Sequence, residues 1–346
     1  MASTTTTSAP GGDGGDDAIL HDPSPSYSLF PVKHEPLWQL YKRASDAYWT
    51  AEEIDLSGDV AAWDKLTDGE RGLLSATLAF FACSDALVNE NICANFMNEV
   101  APQEAKCFYA FQLAMESVHS EVYSLLIDTL VREPVKKAAL FDAIHTVPVI
   151  AKKADWARRW SAGDAPFCQR LFAFAIFEGV FFQGSFAAIF YLKSKGIVMP
   201  GLHHSNALIS RDEALHTEFA TTLHGLLQQC NQIPETTAAA MLREALLLEQ
   251  EFVTEALPCT LLGMSAASMV QYLQFVGDRL MQQMGFRPVF GATNPYPFMT
   301  LATLDSKVNF FESRVAEYSR ANLHKTDLSR GAGASGDAGD DEDDDF

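Results

Sequence analysis

The chain has 346 residues, of which 48% are hydrophobic and 20% charged, and a formal net charge of −20. That length holds one large or two ordinary domains with a sizeable core, and the acidity excludes a basic nucleic-acid-binding surface. Much of the charge is terminal: the first 32 residues carry four acids, the last 16 carry seven, and neither stretch has a Lys or Arg, which leaves −9 for residues 33–330.

Residues 1–28 are rich in Thr, Gly, Ser, Pro and Asp. They have too little apolar surface to offset the entropy of ordering and are expected to form a disordered tail. Residues 29–320 read as one all-α domain. Pro36 opens a helix to about residue 47, and an irregular stretch beginning near Trp49 runs to Trp63. Thr67 and Glu70 form a capping-box pattern that launches a long helix through Asp85 towards Glu99. Pro102 starts the next helix, which carries Glu116, His119 and Tyr123 to about Val131. Pro134 and Pro148 open two shorter helices, the second reaching towards Trp160.

After a break at 162–166, a very apolar helix over 167–195 carries Glu178, and Gly196 stands at its C-terminal cap. Pro200 and Gly201 restart the chain into the helix of Ile209, Asp212, Glu213 and His216. Helices at 234–257 and 265–284, a Pro-Gly-Asn-rich stretch over 285–297 and a partly helical segment at 307–320 complete the domain. No alternating pattern is long enough for a convincing strand. Residues 321–346 read as a flexible acidic tail.

Asp85, Glu116, His119 and Glu178 interrupt the apolar runs before about 20 clean residues accumulate, so no membrane span is expected. The N-terminus shows neither a basic start nor an apolar signal core. Cysteines 83, 93, 107, 168, 230 and 259 show no CxxC or zinc spacing and lie mostly in apolar helical stretches, which suits reduced thiols. The expectation is a cytoplasmic protein.

The chemistry is concentrated in two ExxH segments, Glu116 with His119 and Glu213 with His216. Residues three apart share a helix face, so each segment aims a carboxylate and an imidazole in one direction. One ExxH arises often by chance, but two more acids, Asp85 and Glu178, stand in runs too apolar for a solvated face. The order acid, ExxH, acid, ExxH is that of ferritin-like carboxylate bundles, with Asp in place of one Glu. Isolated ionised carboxylates are costly in an apolar interior, and a dication satisfies them. Hard oxygen donors with one imidazole per ion suit iron or manganese better than structural zinc. The expected sets are Asp85, Glu116 and His119 on one metal and Glu178, Glu213 and His216 on the other, with Glu116, and Glu178 or Glu213, bridging.

The segments SDALVNEN, MESVHSEVYS, FEGVFFQGSF and ISRDEALH resemble the radical-generating small subunit of class I ribonucleotide reductase, and the similarity runs from about Pro36 to Tyr318. The resemblance implies a ferritin-like bundle in which four core helices supply the ligands of two iron ions, manganese being the other candidate. It implies a stable radical on Tyr123, an apolar pocket of Phe182, Phe186 and Ile209, and a relay of His119, Asp212 and Trp49 ending at Tyr318, with Arg211 in support. It further implies a homodimer, a separate large catalytic subunit that reduces ribonucleotides, and docking to that subunit through the C-terminal peptide ending at Phe346. Read without the family, Trp49, Tyr123 and the three pocket residues are ordinary core positions, and the acidic terminus is a solvated tail. A ferritin-like oxidase and a non-catalytic iron-storage bundle are the alternatives, and neither needs both a radical relay and a docking peptide.

Overall fold

The computed structural model describes residues 17–24, 28–161, 164–255 and 264–299. Every regular element among them is helical. In order these are α1 (Glu35–Asp46), α2 (Asp59–Trp63), α3 (Asp68–Asn91), α4 (Met97–Glu99), α5 (Gln103–Leu130), α6 (Pro134–Phe141), α7 (Ala143–Thr146), α8 (Pro148–Ser161), α9 (Phe167–Ile176), α10 (Gln183–Ser194), α11 (Pro200–Leu226), α12 (Glu235–Glu255) and α13 (Ala266–Gln283).

Local chemistry sets the ends of the long helices. Thr67 accepts from the Glu70 amide at 3.3 Å while Glu70 accepts from the Thr67 amide at 2.8 Å, so the capping box closes at the start of α3 and stabilises it by about 1 kcal/mol. The first turn of α11 is capped from outside: buried Asp59 accepts from the amides of Gly201 and Leu202, both at 2.8 Å. A carboxylate at a helix N-terminus satisfies orphan donors and favours the helix dipole. Gly196 ends α10 at φ +80°, the left-handed geometry of a C-terminal cap.

Two helices depart from the simple pattern. Between α3 and α4 the residues Ile92–Phe96 form a π turn, and between α9 and α10 the residues Phe177–Phe181 form another. Each accommodates an extra residue without breaking the helix, and such turns gather at functional sites. The second contains Glu178.

The expected N-terminal tail reaches too far into the chain. Ile19 is buried, its carbonyl accepts from Ala101 N at 2.8 Å, and Asp17 accepts from Gln228 N and the Asn231 amide group, each at 2.9 Å. Composition treats residues 1–28 as one polar segment, whereas one apolar side chain and one well-placed carboxylate suffice to fix residues 17–24. The segments 307–320 and 321–346 lie outside the described residues.

Around the centre, α3 packs against α5, α5 against α1 and α11, and α11 against α9 and its π turn. By length and composition alone, Asp68–Glu99 and Phe167–Ser194 could cross a membrane, but 61% and 89% of their most apolar windows are buried inside this protein. Their apolar surface serves a core that encloses charged groups.

Candidate metal centre

Helices α3, α5 and α11 and the π turn after α9 bring six expected residues together in the interior. Glu116, Glu178, Glu213 and His216 offer ligand atoms that all lie within 4.8 Å of one another, and all four are buried. His119 joins them, its Nδ1 lying 3.3 Å from Glu116 Oε2 and 3.2 Å from Glu213 Oε1. On the other side, His216 Nδ1 is 2.9 Å from Glu116 Oε1 and 3.5 Å from Glu213 Oε2. Glu116 and Glu213 therefore each face both imidazoles with separate oxygens, the arrangement bridging carboxylates need. Glu178 Oε2 lies 3.8 Å from His216 Nδ1, on that imidazole's side. Asp85 is 1% exposed.

The close approaches are not well-formed hydrogen bonds. Both Asp85 oxygens, one oxygen each of Glu116, Glu178 and Glu213, and Nδ1 of both histidines lack a hydrogen-bond partner. Buried polar atoms are almost always satisfied, so five orphaned donor atoms on residues gathered in one cluster, with two more on an Asp85 that feels the cluster's charges, fit metal ions. Electrostatics agree. Burial, then the charge of Glu116, raises Asp85 well above the usual carboxylate range; burial, then Glu213 and Glu116, does the same to Glu178. Burial acts to lower the two imidazoles, but Asp212, Glu116 and Glu213 around His119 and the carboxylates around His216 raise both. Burial would also raise Glu213, but its contacts with Glu178, His119 and His216 hold it below the ordinary range. Such a cluster retains protons until dications replace them.

Why Glu178 can enter is visible in its neighbour. A Cβ on Gly179 would lie 2.8 Å from the Thr217 methyl, so only glycine lets the π turn approach α11 beside His216 this closely. Gln112, which sequence reasoning did not single out, ties the turn to α5: its Nε2 donates to Glu178 Oε1 at 3.1 Å and contacts Glu116 Oε1 at 3.3 Å. Its place four residues before Glu116 on α5 was the available signal.

Tyr123 is buried on α5, stacked on Phe81 with ring centroids 4.6 Å apart. Phe81 was also missed, although it precedes Asp85 by one helical turn. Phe182 and Phe186 pack on Phe81 at 5.6 and 5.1 Å, and Ile209 is buried on α11. Burial first, then the charges of Asp85 and Glu213, raises the Tyr123 phenol well above its ordinary pKa, so it keeps its proton.

From His119 a hydrogen-bonded line leads away. Asp212 Oδ2 lies 3.2 Å from His119 Nε2 and accepts from Trp49 Nε1 at 2.8 Å, and the indole stacks on the imidazole at 5.8 Å. Asp212 thus serves His119 of the neighbouring helix, as the resemblance implies, and not His216, four residues along its own helix. Arg211 donates to Asp212 Oδ1 at 2.8 Å and to Ala47 O at 2.8 Å, fixing the carboxylate to the chain just before Trp49. Burial would raise Asp212, but Arg211 and then His119 and Trp49 hold it below the usual carboxylate range. Tyr318 and Phe346 lie outside the described residues.

The family model for the ribonucleotide reductase small chain matches residues 26–295. The chain belongs to the ribonucleotide reductase small-chain family. It is 50% identical over 309 residues to the ribonucleoside-diphosphate reductase small chain of Neurospora crassa, covering 89% of this chain and 75% of the relative. It is 48% identical over 320 residues to the human subunit M2, covering 92% and 81%. Among solved structures, the ribonucleotide reductase Rnr4 homodimer of Saccharomyces cerevisiae superposes with a TM-score of 0.75 at 33% identity, covering 88% of this chain and 93% of that one. A Clostridium botulinum R2 subunit, 19% identical with a TM-score of 0.70, shares the fold. In this small chain the buried Glu and His cluster suits a dimetal site.

Proposed function

We propose that this small chain of ribonucleoside-diphosphate reductase binds two iron ions through Asp85, Glu116, His119, Glu178, Glu213 and His216 and keeps a stable radical on Tyr123. The hard oxygen donors also accept manganese. Iron bound there supplies the oxidising power, drawn from dioxygen, that formation of a tyrosyl radical requires. The single observation that carries the proposal is the gathering of orphaned donor atoms of Glu116, His119, Glu178, Glu213 and His216, with a buried tyrosine one helical turn after His119.

The protein's own part is to hold and to shield. Glu116 and Glu213, which each face both imidazoles, would help hold both ions, and Asp85 and Glu178 would complete the donor set. Phe81, Phe182, Phe186 and Ile209 exclude water and reductants from Tyr123. Asp212 holds the Nε2 proton of His119 and the indole proton of Trp49, so the relay leaves the site through hydrogen bonds already in place. From Trp49 it continues to Tyr318 and then to a large catalytic subunit, where ribonucleotides are reduced to deoxyribonucleotides.

The yeast relative is a homodimer, and the same assembly is proposed for this chain. The large subunit is proposed to bind the tail ending at Phe346, whose aromatic ring fills an apolar pocket while neighbouring acids meet basic groups. Removing residues 340–346 then abolishes turnover with metal content unchanged; full turnover at subunit concentrations near the dissociation constant defeats this. For the site itself, apoprotein loaded with ferrous iron and exposed to oxygen is expected to give a tyrosyl paramagnetic resonance signal. Tyr123→Phe should bind the same iron without that signal, and persistence of an identical signal places the radical elsewhere.

A further inference from the structure

The metal chemistry leaves one buried charged pair unused. Lys153 on α8 and Glu249 on α12 are both fully buried, with Nζ 2.6 Å from Glu249 Oε2. The same ammonium donates to the carbonyl of Phe181 at 3.0 Å and lies over the rings of Phe80, Phe252 and Phe181 at 3.4, 4.2 and 4.9 Å. A strongly hydrated cation inside an aromatic box is an expensive way to fill space, and a methionine would pack there without desolvation cost. Its contacts show what it holds.

Phe181 is the last residue of the π turn that carries Glu178. A π turn inside a helix is less favourable than continued α-helix and persists where its surroundings fix it. Lys153 supplies a donor to that turn from a separate helix. Glu249 secures the lysine and also closes on the segment that follows, since a Cβ on Gly184 would lie 2.8 Å from Glu249 Oε1 and 3.0 Å from Val253 Cγ1. Phe80, under the ammonium, packs on Phe81 and Phe182 at 6.0 and 5.6 Å, and Phe81 stacks on Tyr123. The pair therefore braces the Glu178 turn and the back of the tyrosine pocket together.

We propose that Lys153 and Glu249 are positioning residues for the metal centre, holding the Phe177–Phe181 turn so that Glu178 stays turned into the cluster. The inference rests on the six ligands assigned above. A second pair joins the same two helices without touching the turn: Lys152 with Glu251, at the surface. It provides the control.

The test uses the full-length apoprotein titrated with Mn2+, the free ion being followed by paramagnetic resonance, with thermal unfolding measured alongside. The parent chain is expected to bind two manganese ions. Lys153→Met/Glu249→Leu leaves no charge buried and is expected to unfold near the parent's midpoint, because an apolar pair replaces a buried ion pair at little cost. It should nonetheless bind one of the two ions about tenfold or more weaker, the range for partners that orient metal ligands. Lys152→Met should bind both ions as the parent does. Parental affinity for both ions in the folded double variant overturns the proposal and leaves the pair a packing feature. If the double variant does not fold, Lys153→Met/Glu249→Gln, which also buries no charge and keeps more of the polar volume, is read by the same two outcomes. A parent chain that binds no manganese fails the ligand assignment itself, a result distinct from a difference between parent and variant.

Discussion

The two ExxH helices repeat one motif in unlike surroundings. His119 on α5 is backed by Asp212, the Trp49 indole and Arg211, a charged and hydrogen-bonded line. His216 on α11 is backed by rings: Phe108 meets it edge-on at 6.2 Å, and Phe108 and Phe219 stack at 3.8 Å with planes 2° apart. Repetition gives both helices the same pair of potential ligands, and the difference gives the proposed relay its direction. On the His119 side a line of hydrogen-bonded polar groups leads away from the imidazole, whereas behind the His216 ring stand Phe108 and Phe219, and the polar Gln112 beside it turns inward to Glu178 and Glu116. A site built symmetrically would need further means to choose one exit.

The largest expected effect comes from breaking the polar side. Asp212→Asn keeps the shape but loses the charge that holds two protons, and turnover with the large subunit should fall about 10²–10⁴-fold, the usual weight of positioned proton transfer. Metal content and the Tyr123 signal should remain. Trp49→Phe should act similarly, and turnover within a fewfold of the parent in both variants would show that the line is not used.

Breaking the apolar side should cost stability instead of transfer. Phe219→Ala removes a fully buried ring and is expected to destabilise the apoprotein by about 3–5 kcal/mol. Turnover per folded, metal-loaded chain should stay close to the parent value in assays below the new unfolding midpoint. A large loss of specific turnover at unchanged metal content would put His216's surroundings on the transfer route as well.

The smallest effect concerns the far end of α11, where His224 Nε2 accepts from Ile233 N at 3.1 Å. Burial pulls this imidazole down to about 4. Its folded pKa lies below the unfolded one, so the native state resists protonation: the stability it contributes is present above about pH 6.5 and is lost as pH falls from there towards 4. Allowing for screening by nearby solvent, that share is about 1–2 kcal/mol. His224→Gln, which keeps an acceptor for Ile233, should flatten the pH dependence of apoprotein unfolding in that window, and an unchanged slope would assign the acid sensitivity to other buried groups, among them His203, which burial also pulls down to about 4.

The helices and the ligand-bearing faces were legible because they rest on local rules. Pro36, Pro134, Pro148 and Pro200 lie in the first turns of their helices, Thr67 and Glu70 close the expected box, and the doubled ExxH stands on two helices that meet. What could not be read depends on contacts distant in sequence. Asp17 finds its partners at Gln228 and Asn231, and Lys153 sits among α3, α12 and a turn that hydropathy does not mark, whereas the contact of Asp212 with His119 came from the resemblance and not from spacing. Gln112 and Phe81 were within reach of the helical spacing, each one turn from an expected ligand, but neither residue type announces metal chemistry.

The extra residue at Phe177–Phe181 also acts as a phase shifter. In a straight α-helix each residue advances the side-chain direction by about 100°, so an inserted residue turns everything after it by that angle relative to everything before. Counting by fours from Glu178 to Phe182 and Phe186 assumes an unbroken screw that this helix does not have. The offset uncouples two aims that one regular helix would have to compromise: Glu178 is directed into the Glu and His cluster while Phe182 and Phe186 are directed at Phe81, which stacks on Tyr123. Deleting one residue from the turn would bring the two halves back into step, and one of the two targets would then be missed.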